Sequence, residues 1–132
     1  MRARWFFAAL VFAFGLVTVF SRLESAQEHT QSTNQYVTMT WSFRNNHPNE
    51  AYLRIYRQNA DGVWPGPDKF YTLDDSKAHA AKLSCWAGEK ICYGAFTKSG
   101  TEWGVGKSGK RSCQQCCATC QSGDIGTINL DP

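Results

Sequence analysis

The chain has 132 residues and six cysteines, with 14 Lys and Arg against 11 Asp and Glu, a formal net charge of +3. The length admits one domain with one core and excludes two. The charge excess is concentrated at the N-terminus and gives no electrostatic reason to propose nucleic acid or an anionic lipid surface as a partner.

Arg2 and Arg4 precede an apolar run from Trp5 to Phe20, which is followed by the polar "SRLESAQEHT". A basic start, a hydrophobic middle and small residues near a cut are the layout of a secretory signal. Residues 1–26 are therefore expected to be a signal peptide, cleaved somewhere between 21 and 26. A cut after Ala26 places Glu24 at the position that wants a small residue, whereas a cut after Ser21 places Val19 there. The apolar run of 16 residues spans roughly 24 Å as a helix, against a hydrocarbon core of about 30 Å. An uncleaved membrane anchor is thus the second reading, and the only route to a membrane. No cysteine follows the apolar run, so no lipoprotein anchor is indicated. Loss of Arg2, Arg4, Arg22 and Glu24 with the leader leaves 11 basic and 10 acidic residues, a net charge of +1. The expected location is secreted or periplasmic.

Residues 27–35, "QEHTQSTNQ", carry no large apolar group and read as a flexible lead-in to a single cysteine-rich domain over 36–132. Val37, Met39, Trp41 and Phe43 then alternate with Thr38, Thr40 and Ser42, the period of a strand with one buried face. "RNNHPNE" is a turn, with Pro48 unable to donate to a ladder. In "AYLRIYRQ" the alternation resumes, with Leu53 and Ile55 opposed to Tyr52, Arg54 and Tyr56. "NADGVWPGPD" carries Asp61-Gly62 and two prolines and reads as a loop. "KFYTL" is a short strand. In "DDSKAHAAKL", Asp74 or Asp75 could cap a short helix, but the segment runs unbroken into "LSC" and is read as a turn followed by a strand. "KICYGAFT" sets Ile91, Tyr93 and Ala95 against Cys92, Gly94 and Phe96, while "EWGVG" and "GTINL" supply further short strands. Six or seven short strands without a long amphipathic helix predict a mainly β domain, a small antiparallel β-sandwich or barrel-like fold stapled by disulfides.

Four cysteines, Cys113, Cys116, Cys117 and Cys120, fall within "RSCQQCCATCQSG"; the others are Cys85 and Cys92. On a helix the four would share one face and could hold a soft metal as thiolates. In an exported small domain an even cysteine count reads first as a disulfide framework. Six cysteines allow fifteen pairings, and the three containing a vicinal Cys116–Cys117 bond are disfavoured by its strained geometry. Either Cys85 and Cys92 pair with each other, or each pairs into the cluster and leaves one bond inside it. The second option is favoured because it closes long loops, each worth roughly 2 to 4 kcal/mol of a total of about 5 to 15. Two Cys-x-x-Cys pairs match a redox motif, yet no βαβ pattern surrounds them to lower a thiol pKa.

His29, His47 and His79 have no ligand spacing and read as solvated. Asp61, Asp68, Asp74 and Asp75 do not follow the order of a calcium loop and read as turn and cap residues. No nucleophile elbow, phosphate loop or zinc-protease motif is present, and no motif calls for a cofactor. Glu89 and Glu102 make an unremarkable acid pair. Aromatics are more informative. Trp64, Trp86 and Trp103, all placed on apparent loops, are candidates to face a carbohydrate or protein ligand, although covering disulfides is the plainer duty for tryptophans here. The ordered set "VWPG", "LSCWAGEKICYGAF", "WGVG" and "CQQCCATC" resembles small cysteine-rich domains of exported bacterial proteins of unknown function, over most of 41–132. That resemblance implies export and a compact β domain and brings no catalytic or ligand residues with it. The function expected is a binding or interaction module. The alternatives are a thiolate metal-binding protein using the four clustered cysteines, and a small secreted hydrolase using His79 with an acid.

Overall fold

The computed structural model describes residues 34–132; the expected signal peptide, 1–26, and residues 27–33 of the lead-in lie outside the described residues. Nine strands follow in order: β1 Tyr36–Asn45, β2 Ala51–Arg57, β3 Val63–Trp64, β4 Tyr71–Leu73, β5 Ala78–Trp86, β6 Lys90–Thr97, β7 Glu102–Gly104, β8 Cys117–Thr119 and β9 Gly123–Leu130. No helix occurs among the described residues. The segment that could have begun as a helix at Asp74 or Asp75 is a turn leading into β5, because Ala81, Leu83 and Cys85 alternate with exposed Ala80, Lys82 and Ser84. Period-two burial decides for a strand over the alanine-rich composition.

Two sheets face each other as a sandwich. The first has the order β5-β1-β9. β1 pairs antiparallel with β5 along its length, from Tyr36 opposite Trp86 to Arg44 opposite Ala78. On its other side β1 pairs with β9, and that pair is parallel, from Met39 beside Gly123 to Asn45 beside Leu130. The antiparallel β-sandwich expected from the sequence is present, with this one parallel pair in it. A parallel neighbour needs a long crossover, and here the whole of β2 to β8 serves as that connection.

The second sheet is centred on β2 and β6, which are antiparallel from Ala51 opposite Thr97 to Arg57 opposite Ile91. Each flank is made of two short strands end to end: β4 and β3 beside β2, and β7 and β8 beside β6. Two of these short strands lie where a loop was expected: β3 inside "NADGVWPGPD", and β8 inside the cysteine cluster. Neither has the alternation that marks a strand, since β3 is two residues and β8 three.

Between the sheets, Met39, Trp41 and Phe43 of β1 meet Leu53 and Ile55 of β2 and Ile91, Tyr93 and Ala95 of β6 in one apolar cluster. Tyr93 bridges the layers with its ring edge-on to Trp41 at 5.7 Å and to Phe43 at 5.4 Å. Such pairs add about 0.5 to 1.5 kcal/mol beyond the area they bury. β6 is buried on both faces along its whole length after Lys90. Its outward side is covered by the segment that follows β7. There Gly94 lies so close to the backbone of Gly106 that an added Cβ would collide with the Gly106 carbonyl oxygen.

Candidate functional site

The strands bring the cysteines together in the favoured arrangement. Cys85 of β5 bonds to Cys120 across 35 residues, and Cys92 of β6 bonds to Cys117 of β8 across 25. Cys113 and Cys116, three residues apart, bond to each other. Cys92 and Cys117 stand directly opposite in the β6–β8 register, so backbone pairing and cross-link fix the same contact. Cys120 is held against the β5–β6 turn by two backbone bonds, Gly88 N–H to its carbonyl at 2.9 Å and its own N–H to the Glu89 carbonyl at 2.8 Å. Three disulfides suit an oxidising, extracellular type of environment.

The cluster is not helical, so its four sulfurs do not share one helix face. The sulfurs that gather within 4.8 Å of one another are those of Cys92, Cys116 and Cys117, a different set from the four expected. All six cysteines are disulfide-bonded, and a thiolate site needs reduced, deprotonated sulfur.

Trp64 and Trp86 are brought to one surface, through residues that the sequence did not single out. Trp86 closes β5 opposite Tyr36, and their rings pack edge to face at 4.1 Å. Both stand well out of the protein, Tyr36 at 49% and Trp86 at 41% exposure. Arg57, at the end of β2, lies 6.0 Å from the centroid of the Tyr36 ring and 5.2 Å from that of Trp64. Its Nη2 donates to the Tyr36 hydroxyl at 3.0 Å and lies 3.5 Å from Glu89 Oε1. Glu89 in turn accepts from the backbone N–H of Trp86 at 2.7 Å. The result is a ladder of alternating rings and one cation, in the order Trp64, Arg57, Tyr36, Trp86. The Tyr36 hydroxyl, opposed by burial and assisted by the Glu89 charge, holds the Arg57 pKa above its ordinary value. The guanidinium is a permanent charge in the ladder. Its Nε is buried with no partner among the described residues. The ring pair was hidden in sequence because Tyr36 and Trp86 meet only through the β1–β5 register. Of the three tryptophans expected on loops, Trp64 lies in β3, Trp86 ends β5 and Trp103 lies in β7.

Trp103 belongs elsewhere. Its indole N–H donates to the Asp131 carbonyl at 2.7 Å and its ring packs edge-on to His47 at 5.4 Å. That is a structural tie between β7 and the segment after β9. A second aromatic group lies on the outward side of β2 and β6, where Tyr52, Phe70 and Phe96 pack at 5.5 to 5.6 Å. Arg54, Lys98 and Lys107 stand over these rings at 5.7, 5.7 and 5.2 Å. Here each ring carries a cation from its own chain.

His79 is joined to an acid. Its Nε2 lies 2.6 Å from Asp75 Oδ1, which also accepts the Lys77 N–H at 2.9 Å. The imidazole bond, then the Lys77 amide, hold the Asp75 carboxyl below its ordinary pKa. Asp74, Asp75 and His79 present ligand atoms within 4.8 Å of one another. The His79 and Asp75 side chains are 39% and 43% exposed, and no hydroxyl or thiol bonds to the imidazole among the described hydrogen bonds. The turn duty expected of Asp75 is what its bond to Lys77 performs. His47 accepts the Asn49 N–H at its Nδ1 at 3.1 Å, within the turn where the sequence placed it.

Comparison of the chain with family models, with curated proteins and with solved structures gives no match.

Proposed function

We propose that this chain is an exported, disulfide-stabilised binding module without catalytic activity, and that its ligand is a carbohydrate received on the Tyr36–Trp86 ring pair. The observation that carries this reading is the exposure of two large rings fixed in mutual contact and bordered by the Arg57–Glu89 pair. Exposed rings are unusual on a domain with a well-filled interior, and contiguous exposed apolar surface marks an interaction site. Aromatic faces stack on the apolar faces of sugar rings, and an adjacent cation and carboxylate offer donors and an acceptor to hydroxyls. Because β1, β2, β3 and β5 set the positions of the four ladder groups, little side-chain freedom is lost on binding. The resemblance to cysteine-rich exported domains and the basic-apolar leader support a secreted or periplasmic location.

The test is a glycan array probed with the oxidised protein, followed by titration of any sugar retained. Trp86→Ala is expected to weaken binding at least tenfold, or about 1.4 kcal/mol, while Trp103→Ala leaves it unchanged. Absence of binding to every sugar, or equal losses at the two tryptophans, removes the reading.

A further inference from the structure

The three disulfides differ in what they hold. Cys85–Cys120 is buried at both ends, with Cys85 at 0% and Cys120 at 2% exposure, and it ties β5 to the segment after β8. Cys92–Cys117 joins two residues already paired in a ladder. Cys113–Cys116 joins residues three apart and connects no two strands. Cys113 is only half-buried, and its neighbours Arg111, Ser112, Gln114 and Gln115 are exposed and outside any strand.

Two backbone bonds hold the ends of this short loop independently of its sulfurs. The Arg111 N–H donates to the Val105 carbonyl at 3.0 Å, and the Tyr93 N–H donates to the Cys116 carbonyl at 2.9 Å. Opening the disulfide therefore leaves Cys116 on β6 and the loop entry on the turn after β7. Lys110 and Arg111 lie three and two residues before Cys113, and cationic surroundings favour its thiolate, the group released when the mixed disulfide is resolved.

We propose that Cys113–Cys116 is a thiol–disulfide exchange site, opened and re-closed by a dithiol while the other two bonds stay intact. The first external thiolate attacks the Sγ of Cys113, forming a mixed disulfide and expelling Cys116 as thiolate. The second thiol of the same molecule then attacks the mixed disulfide, releasing Cys113. Two electrons pass to the protein with two protons, and the reductant leaves as its own disulfide. Attack falls on Cys113 because Cys116 is buried at 1% exposure. The role is distinct from carbohydrate binding and does not depend on it.

The oxidised protein is titrated with dithiothreitol under native conditions, trapped with iodoacetamide and mapped by peptide mass spectrometry. Label is expected on Cys113 and Cys116 at a reductant concentration at least tenfold below that which labels the other four. The circular dichroism of the partly reduced protein should be unchanged, and glutathione disulfide should restore the bond. A reduced protein dithiol, thioredoxin, used in place of dithiothreitol distinguishes a protein partner from a small thiol as the source of the same chemistry. Cys116 Sγ lies 3.6 Å from Cys117 Sγ, so a single Cys113→Ser change would leave a nucleophile beside a second disulfide. The control is therefore the double variant Cys113→Ser with Cys116→Ser, which should show no labelling in the low range. Simultaneous opening of all three bonds, earlier opening of either other bond, or low-range label persisting in the double variant overturns the proposal.

Discussion

The space between the sheets and the segment from Val105 to Cys120 are held by different physics. Between the sheets, Phe43, Met39, Leu53 and Ile55 are fully buried and contact one another across the layers. At roughly 25 cal/mol per Å², the removal of such side chains from water is the main stabilising effect there. In the later segment, Val105, Cys116 and Cys120 are the only buried apolar residues. Its course is set by two long-range disulfides, by scattered backbone bonds, and by glycines that let it lie flat on β6. The contrast shows how a small domain can cover the second face of its central strand without a second core.

The largest expected effect is in the interior. Phe43→Ala should cost about 3 to 5 kcal/mol in denaturant unfolding, since it removes a ring that touches both Trp41 and Tyr93. A loss below about 1 kcal/mol would mean that the sheets are not held by this packing.

Next come the cross-links, which separate the two kinds of bond within the later segment. Replacing Cys85 and Cys120 together by Ala opens a loop closed across 35 residues and should cost about 3 to 4 kcal/mol. The same change at Cys113 and Cys116, three residues apart, should cost about 2. Equal losses from the two double variants would erase the distinction drawn between them.

The smallest of the three effects concerns the contact between the regions. Gly94→Ala should destabilise by about 1 to 3 kcal/mol, because the new methyl meets backbone of Gly106, which cannot rotate away as a side chain would. Gly88, with nothing within 4 Å of an added Cβ, gives the comparison. At its φ of +89°, Gly88→Ala should show only the backbone strain of a positive φ, about 1 to 2 kcal/mol. Hydrogen exchange would sharpen the result, with amides of 104–111 losing protection in Gly94→Ala and retaining it in Gly88→Ala.

The same division governs how much was legible in the chain itself. β1 and β2 announce themselves because one face of each is buried and the other is not, and Met39, Trp41 and Phe43 on one side with Leu53 and Ile55 on the other fall where alternation puts them. The disulfide arrangement was legible in outline, from loop length and the geometry of vicinal cysteines. β3 and β8 were not, since two or three residues carry no period and owe their strand geometry to a partner already in place. The parallel pairing of β9 with β1 was equally hidden, because "GTINL" shows a β preference but no direction. The candidate ladder was half legible. Trp64 and Trp86 stood out as tryptophans, whereas Tyr36 and Arg57 acquire their place only through sheet register and a contact between different strands.

The position of β1 has a kinetic consequence. Met39 is bonded on one side to Leu83 and on the other to Gly123, so its strand waits for two partners from far along the chain. Contacts of such high order slow two-state β domains to the millisecond-to-second range. The central strand of that sheet therefore stays incomplete until nearly all of the domain has been delivered, and assembly must follow delivery.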